Sequence, residues 1–195
     1  MKKITVNLYE YNELSETAKH KAHDDYLNTG FDSASSYDFR ATLYKFCAAF
    51  NVNLIEWQVD EFNYSFRFSV NEPDEMDAQR FATWVYNNFG HLLTEGKSYY
   101  KGSKRHVSRV MADAFYWQYA LTGCCYDSDI LEPVHKCIDR DEDFKSMKEL
   151  VEDCFDSFFA TWKKQIEYEN SEEYFEEVCN CNEWYFTESG EFYNG

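Results

Sequence analysis

Strict alternation of apolar and polar positions predicts the strands of this chain. In residues 62–70 every second position is Phe, Tyr or Val, and the positions between them are Asn, Ser or Arg. Residues 52–59, which precede a short polar turn, and residues 3–9 show the same pattern less fully. A period of two is typical of strands that bury one face, so we predict strands in these three segments.

Apolar residues that return every three or four positions predict the helices. The stripe is clearest in residues 36–50, where Phe39, Leu43 and Phe46 share one face, and in residues 139–169. The second of these segments predicts a long helix near the C-terminal third of the chain. Shorter helices are expected at about 15–28, 73–89, 107–121 and 171–179.

Glycines inside ring-rich segments predict two turns. Gly96 and Gly102 flank an exposed loop or hairpin at 94–104, and aromatic arms on either side of Gly190 indicate a C-terminal β-hairpin. Strands at both ends and in the middle, with helices between them, predict an α+β fold. We expect an antiparallel sheet of about four to six strands packed by helices.

Aromatic residues dominate the apolar part of the composition. Hydrophobic residues make up 44% of the 195 positions and aromatic residues 19%, with 17 Phe and 16 Tyr. Because aliphatic side chains are scarce, the core has to be built largely from rings, each of which buries a large area. Such a chain has enough apolar material to fold.

The net charge of −17 restricts the classes of partner. A protein that binds free nucleic acid normally carries the opposite balance, because Lys and Arg contact the phosphates. An anionic membrane surface is disfavoured for the same reason. Two interpretations stay open: the charge only provides solubility, or it forms a surface that meets a basic partner.

The acidity is concentrated towards the C-terminus. Residues 132–195 hold 18 acidic and 6 basic side chains, whereas residues 1–131 hold 18 acidic and 13 basic ones. We predict a single domain over 1–195, with a possible subdivision near 131. That subdivision would separate an α+β core (1–131) from an acidic helical segment with the C-terminal hairpin (132–195).

Carboxylates interleaved with rings form the candidate partner-binding surface. Rows of carboxylates on rigid helices can imitate phosphates, and rings beside them supply the desolvated anchors of an interface. The alternative is a solvated helix face without a partner. The candidate residues are Asp139, Asp141, Glu142, Asp143, Glu167, Glu169, Glu172, Glu173, Glu176, Glu177, Tyr174 and Trp184.

One basic stretch runs against the acidic trend. Between Glu95 and Asp113 the chain has no acidic residue, and basic side chains alternate there with tyrosines. Such a segment could hold a nucleotide by charge and stacking, or it could only balance the acidic surface. Its candidate ligand-binding residues are Lys97, Tyr99, Tyr100, Lys101, Lys104, Arg105 and Arg109.

Motifs of catalysis and metal binding are missing from the sequence. The close thiol pairs, Cys124-Cys125 and Cys179-Asn-Cys181, lack the spacing of a zinc site. Asp127-Ser-Asp129 resembles part of a cation-binding loop, without the Gly and the final Glu of a calcium loop. No nucleophile elbow, phosphate loop or dinucleotide fingerprint occurs. We therefore expect a protein that is not an enzyme and needs no metal or other cofactor.

The start of the chain and the thiols predict a cytoplasmic location. Acidic residues appear before any apolar stretch long enough for a signal peptide, and no run approaches the length of a membrane span. Seven cysteines, an odd number, are expected to be reduced thiols in such a compartment. No membrane partner is expected.

Both ends of the chain resemble a loose group of small phage and prophage proteins. Residues 8–22 read Leu-Tyr-Glu-Tyr-Asn-Glu-Leu-Ser-Glu-Thr-Ala-Lys-His-Lys-Ala, similar to the strand and Glu-Leu-Ser-x-x-Ala-Lys-x-x-Ala helix that open that group. Residues 166–173 and 182–193 read Ile-Glu-Tyr-Glu-Asn-Ser-Glu-Glu and Asn-Glu-Trp-Tyr-Phe-Thr-Glu-Ser-Gly-Glu-Phe-Tyr, similar to its closing helix and Phe-Thr-x-x-Gly hairpin. Some members are described as antitoxin-like, and the group brings no catalytic residues to this chain.

The resemblance implies a phage origin and leads to three hypotheses. The first is an inhibitor, similar to anti-CRISPR proteins, that binds a host defence protein with a basic surface, such as a CRISPR effector, in the bacterial cytoplasm. It would act by imitating DNA or RNA, without binding nucleic acid itself. The second is an antitoxin or regulatory partner of a phage protein. The third is a nucleotide-signal-binding protein that uses the basic segment at 97–109.

Overall fold

The computed structural model describes residues 7–29, 34–71, 73, 76–101, 103–111 and 119–193. The predicted strand at 3–9 therefore lies mostly outside the described residues. In chain order the described elements are β1 (Tyr9–Glu10), a 3-10 turn (Tyr11–Glu13), α1 (Glu16–Asn28), α2 (Ala34–Phe50), β2 (Val52–Val59), β3 (Tyr64–Val70), α3 (Ala78–Phe89), a 3-10 turn (Gly90–Leu92), β4 (Thr94–Lys101), β5 (Lys104–Met111), α4 (Asp127–Asp139), α5 (Met147–Glu169), α6 (Glu172–Cys181) and β6 (Tyr185–Phe186).

The fold is α+β, as the sequence predicts, but its strands do not form one sheet. Within the described residues each strand pairs with a single antiparallel neighbour, giving the pairs β1–β6, β2–β3 and β4–β5. The predicted sheet of about four to six strands is wrong for this part of the chain. Alternation along one strand reports only that one face is buried, and it does not specify how many strands pair with it.

The chain divides into two compact units. The terminal unit combines residues 1–33 with residues 164–195, and the middle unit comprises residues 34–163. Helix α5 is shared, because its last residues from Lys164 onwards belong to the terminal unit. The predicted single domain, with its possible subdivision near 131, stays a prediction.

Rings build the core of the middle unit, as the composition predicts. The face of α2 that holds Phe39, Leu43 and Phe46 is fully buried. Phe39 stacks on Trp162 of α5 with ring centroids 5.1 Å apart, and Phe66 of β3 meets Phe155 edge to face at 5.4 Å. The aromatic side chains of α2, α5 and β3 thus pack together in one core.

Several predicted boundaries are wrong for identifiable reasons. Helix α3 begins at Ala78 and not at 73, because the Asp77 side chain caps it by accepting a hydrogen bond from the Arg80 N–H. The predicted long helix begins at Met147 and not at 139. The stretch before it holds a separate helix, α4, which contains Pro133 and ends at the left-handed residue Arg140.

The hairpin β4–β5 replaces part of a predicted helix. The exposed loop or hairpin expected at 94–104 is a hairpin, and its second strand continues to Met111. The helix predicted from 107 is therefore wrong up to that residue. Val107, Val110 and Met111 recur at the helical spacing of three and four residues, so the pattern favoured a helix where pairing with β4 makes a strand.

Asp127 is a buried carboxylate that fixes the start of α4. It is fully buried and accepts hydrogen bonds from the backbone N–H groups of Leu121, Thr122 and Gly123 at 2.8, 2.7 and 3.3 Å. The hydroxyl groups of Thr42 and Thr122 donate to it at 2.8 and 2.7 Å. The resemblance of Asp127-Ser-Asp129 to a cation loop is thus explained by a structural role, since protein donors occupy this carboxylate.

Candidate functional site: an acidic aromatic surface on the terminal unit

A serine turn places the two acidic helices of the terminal unit next to each other. Helix α5 ends at Glu169, and Ser171 caps α6 by accepting a hydrogen bond from the Tyr174 N–H at 3.2 Å. The same hydroxyl donates to the Tyr168 carbonyl at 2.6 Å. One short side chain therefore closes the first helix and opens the second.

Four glutamates occupy one side of α6. Glu172, Glu173, Glu176 and Glu177 span an arc of about 140° around a helix that turns about 100° per residue. Phe175 and Cys179, which flank the Glu172 edge of this arc, are buried in the core of the terminal unit. Three of the four carboxylates belong to exposed residues, and Glu176 is half-buried. The amphipathic pattern of α6 thus fixes which way the acidic side points.

Much of this negative charge has no cation beside it. Among the described residues no hydrogen bond or ion pair reaches the carboxylates of Glu167, Glu173 or Glu176, whereas His20 Nδ1 lies 2.8 Å from Glu172 Oε1. The terminal unit holds 15 acidic and 5 basic residues, a net charge of −10, in half the length of the middle unit. The middle unit, with 21 acidic and 14 basic residues, has a net charge of −7.

The negative charge helps to raise the pKa values of three tyrosines in the terminal unit. Burial, reinforced by Glu172 and other acidic neighbours, raises the pKa of Tyr11 to about 12. Burial and the nearby Glu169 and Glu177 raise the pKa of Tyr174. The Tyr168 hydroxyl donates to Glu177 Oε2 at 2.8 Å, and this bond raises its pKa. These phenols stay neutral donors beside the carboxylates, since the field of the site opposes a further negative charge.

Rings lie directly beside the acidic side. Tyr168 and Tyr174 meet edge to face with centroids 5.3 Å apart. Phe175 contacts Tyr11 at 5.1 Å and Tyr26 at 4.7 Å, and Trp184 meets Phe192 at 5.0 Å. The predicted site residues Tyr174 and Trp184 are both half-buried, so each is held in place while part of its ring stays accessible.

The predicted acidic residues fall into two groups. Glu167, Glu169, Glu172, Glu173, Glu176 and Glu177 belong to the terminal unit together with Tyr174 and Trp184, whereas Asp139, Asp141, Glu142 and Asp143 belong to the middle unit. Two residues of the second group have a basic side chain beside them. Lys136 Nζ lies 3.2 Å from Glu142 Oε1, and His135 Nε2 lies 3.4 Å from Asp139 Oδ2. Together with the net charges of the two units, this leaves the greater negative charge per residue in the terminal unit.

The basic segment forms the hairpin β4–β5. Its backbone register pairs Tyr100 with Arg105 and Lys101 with Lys104. Tyr99 pairs with His106, Lys97 with Ser108, and Arg109 with Gly96. The candidate residues of this segment are thus brought together on one two-stranded ribbon of the middle unit.

The structure adds residues that the sequence did not place at the site. Strand β1 pairs with β6 through Tyr9 opposite Phe186 and Glu10 opposite Tyr185, so the N-terminal segment joins the acidic helices. Its acidic residues, Glu10, Glu13, Glu16, Asp24 and Asp25, therefore add to the terminal unit. Two short strands separated by most of the chain leave no periodic signal that would reveal such a pairing.

Neither a metal-binding cluster nor a disulfide occurs in the described part of the chain. There, no group of three or more His, Cys, Asp or Glu side chains is arranged to hold a metal ion, and all seven cysteines are free thiols. None of the described helices has the length and apolar character needed to cross a membrane. Comparison with protein-family models, curated proteins and solved structures finds no match to this chain.

Proposed function

We propose that this chain is a non-enzymatic binding protein whose acidic aromatic surface occupies the nucleic-acid-binding surface of another protein. This surface is defined by the end of α5 and the acidic side of α6, from Glu167 to Glu177. The observation that carries the proposal is the arc of four carboxylates on α6, three of them on exposed residues, of which Glu173 has no cationic partner in the described residues.

The charge density of α6 matches that of a nucleic acid. Its four glutamates lie within six consecutive residues, and a helix rises about 1.5 Å per residue, so they span about 7.5 Å of axis. Duplex DNA carries one negative charge per about 1.7 Å of axis, which is four or five charges over the same length. A basic groove built to bind phosphates would meet a similar density here.

Only two of these four carboxylates are placed to stabilise α6. Glu172 and Glu173 lie in the first turn, where the helix dipole favours negative charge. Glu176 and Glu177 follow them four residues later, and like charges at that spacing destabilise a helix by about 0.2–0.5 kcal/mol per pair. A surface that works against its own helix favours a role in binding over a purely structural one.

The resemblance of the chain ends directs the choice of target. The segments that resemble phage and prophage proteins, residues 8–22, 166–173 and 182–193, all belong to the terminal unit, which also carries the acidic aromatic surface. We propose a host defence protein with a basic surface, such as a CRISPR effector in the bacterial cytoplasm. An antitoxin-like partnership with a basic phage protein would use the same surface.

A capture experiment with a charge-reversed variant tests this function. The tagged protein is incubated with a bacterial lysate at low salt, and retained proteins are eluted with duplex DNA or with high salt. Glu167 and Glu173 are exposed and make no hydrogen bond or ion pair in the described residues, so Glu167→Lys with Glu173→Lys changes the charge by four without breaking a contact. Retention is expected to fall at least tenfold, and DNA is expected to displace the wild-type complex.

The matched control carries the same change of charge elsewhere. Asp141→Lys with Asp143→Lys alters two exposed carboxylates of the middle unit and is expected to retain the partner. If both double variants lost retention of the partner equally, the effect would be due to net charge and not to this surface. Unchanged retention in the Glu167 and Glu173 variant, or a complex that DNA does not displace, would contradict the proposed function.

A further inference from the structure

A small aromatic pocket opens within the terminal unit beside the acidic helices. Its volume is about 240 Å³, its lining is almost wholly apolar, and it is bordered by five aromatic residues and one acidic residue: Tyr26, Phe175, Trp184, Phe186, Phe192 and Asp25. The remaining lining residues are small, and no Lys, Arg or His is among them. The pocket combines an aromatic lining with a single negative charge.

The walls of this pocket are fixed by contacts among themselves. Phe175 and Tyr26 lie 4.7 Å apart between ring centroids, and Phe186 and Phe192 lie 6.0 Å apart. Gly190, in the turn before Phe192, has a φ of 82° and lies so close to α1 that an added β-carbon would overlap the Ala18 carbonyl oxygen. The hairpin is thus pressed against the helix, and the pocket between them is preformed.

The charge and the volume of the pocket indicate which kind of group it can bind. Asp25 is exposed and makes no hydrogen bond or ion pair in the described residues, so the only ionised group of the lining is free to receive a cation. The faces of Tyr26 and the other rings carry the negative potential of an aromatic quadrupole, which attracts a cation. A volume of about 240 Å³ lies below the range of about 300–1,000 Å³ that drug-sized ligands occupy, so one side chain fits better than a nucleotide.

We infer that this pocket receives an arginine side chain of the basic protein bound by the acidic aromatic surface. Arginine fits better than lysine because its planar guanidinium stacks on aromatic faces, is weakly hydrated and binds a carboxylate with two parallel hydrogen bonds. The guanidinium lies against the rings and pairs with Asp25. This inference rests on the proposed function, because a basic protein supplies the arginine.

A small probe tests the pocket without the partner. N-acetyl-arginine amide is titrated into the full chain while the indole N–H resonance of Trp184, assigned with Trp184→Phe, is followed by NMR. We expect a saturable shift with the arginine probe and at least fivefold weaker binding of N-acetyl-citrulline amide, which has the same shape without the charge. Asp25→Asn should weaken the arginine probe about fivefold and leave the citrulline probe unchanged.

The possible outcomes distinguish a failure of the pocket inference from a failure of the proposed function. No shift with the arginine probe, or equal shifts with arginine, citrulline and leucine amides, would overturn the inference. Asp25→Asn is then tested against the partner captured at low salt, where about fivefold weaker binding is expected. Full binding of that variant, with loss in the Glu167 and Glu173 variant, refutes only the pocket. Full binding of both variants refutes the proposed function as well.

Discussion

At the scale of single residues, two glycines share a backbone conformation but differ in how closely other atoms approach them. Gly123 and Gly190 have φ values of 84° and 82°, in the left-handed region that favours glycine. Space around them differs: a β-carbon at Gly123 would meet nothing within 4 Å, whereas one at Gly190 would overlap the Ala18 carbonyl group. A side chain at Gly123 would therefore cause backbone strain alone, whereas one at Gly190 would cause both backbone strain and steric overlap.

Substituting both glycines by alanine tests this difference. Gly123→Ala is expected to lower the free energy of unfolding by about 1–2 kcal/mol, the cost of a left-handed alanine. Gly190→Ala should cost about 3 kcal/mol or more, because displacement of the hairpin from α1 adds the penalty of overpacking. Urea denaturation measures both, and equal losses would contradict the close approach at Gly190. The arginine probe should also lose its binding in Gly190→Ala.

At the scale of elements, the acidic side of α6 carries like charges that lower the stability of the helix. Glu176 follows Glu172 and Glu173 on the same side of the helix, beyond the first turn where the dipole would favour it. It also contributes to the raised pKa values of Tyr11 and Cys179, so its field extends into the core. Its carboxylate is thus unfavourable within the folded chain.

Neutralising Glu176 should therefore stabilise the protein. Glu176→Gln is expected to raise the free energy of unfolding by about 0.3–0.5 kcal/mol, because two like-charge contacts disappear. The matched control is Glu173→Gln, which also loses a favourable interaction with the helix dipole and should gain less. Thermal melts in low salt compare the two variants. A greater gain for Glu173→Gln would contradict this account of α6.

Local pattern predicted the elements better than their pairing. The strand predicted at 62–70 and the buried face of α2 follow from period and apolar content alone. The structure confirms the buried face of α2 and the strand from Tyr64 onwards, whereas Phe62 lies exposed in the preceding turn. Helix α4 was missed because Pro133 interrupts the helical pattern. The pairing of Tyr9 with Phe186 depends on which distant segments fit together, and neither strand carries that information in its own sequence.

The same distinction applies to the candidate site. Composition located the carboxylates and rings of α5 and α6, since acidic residues between Gln165 and Gly195 have no basic residue among them. It did not locate Asp25 or Tyr26, which join the pocket only through packing of α1 against the C-terminal hairpin. Nor did it separate Asp141 and Asp143 from the glutamates of α6, because the boundary at residue 163 depends on tertiary contacts.

At the scale of the whole molecule, buried thiols set the response to alkali. Burial raises the pKa of Cys47 to about 11 and those of Cys137 and Cys179 to about 12. The unfolded chain loses these protons near pH 9, whereas the folded chain keeps them, so the folded state binds more protons above that pH. Stability contributed by these thiols is complete below about pH 9 and falls as pH rises towards the folded pKa values.

A comparison of two neighbouring cysteines tests the alkaline response. In Cys179→Ala the fall of the urea midpoint between about pH 8 and about pH 10.5 is expected to be shallower than in the wild-type chain. Cys181→Ala serves as the control, because this thiol is exposed and its removal should leave the pH dependence unchanged. The interpretation fails if both variants show the wild-type slope.

The division of the terminal unit between the two ends of the chain has a consequence for biosynthesis. Lys21 and Glu191 form an ion pair across a separation of 170 residues, whereas the middle unit is continuous in sequence. A ribosome releases the middle unit before residues 164–193 have emerged, so contacts within it can form during translation. The acidic aromatic surface and its pocket can assemble only after residues 164–193 have emerged, so the proposed binding has to follow the synthesis of this segment.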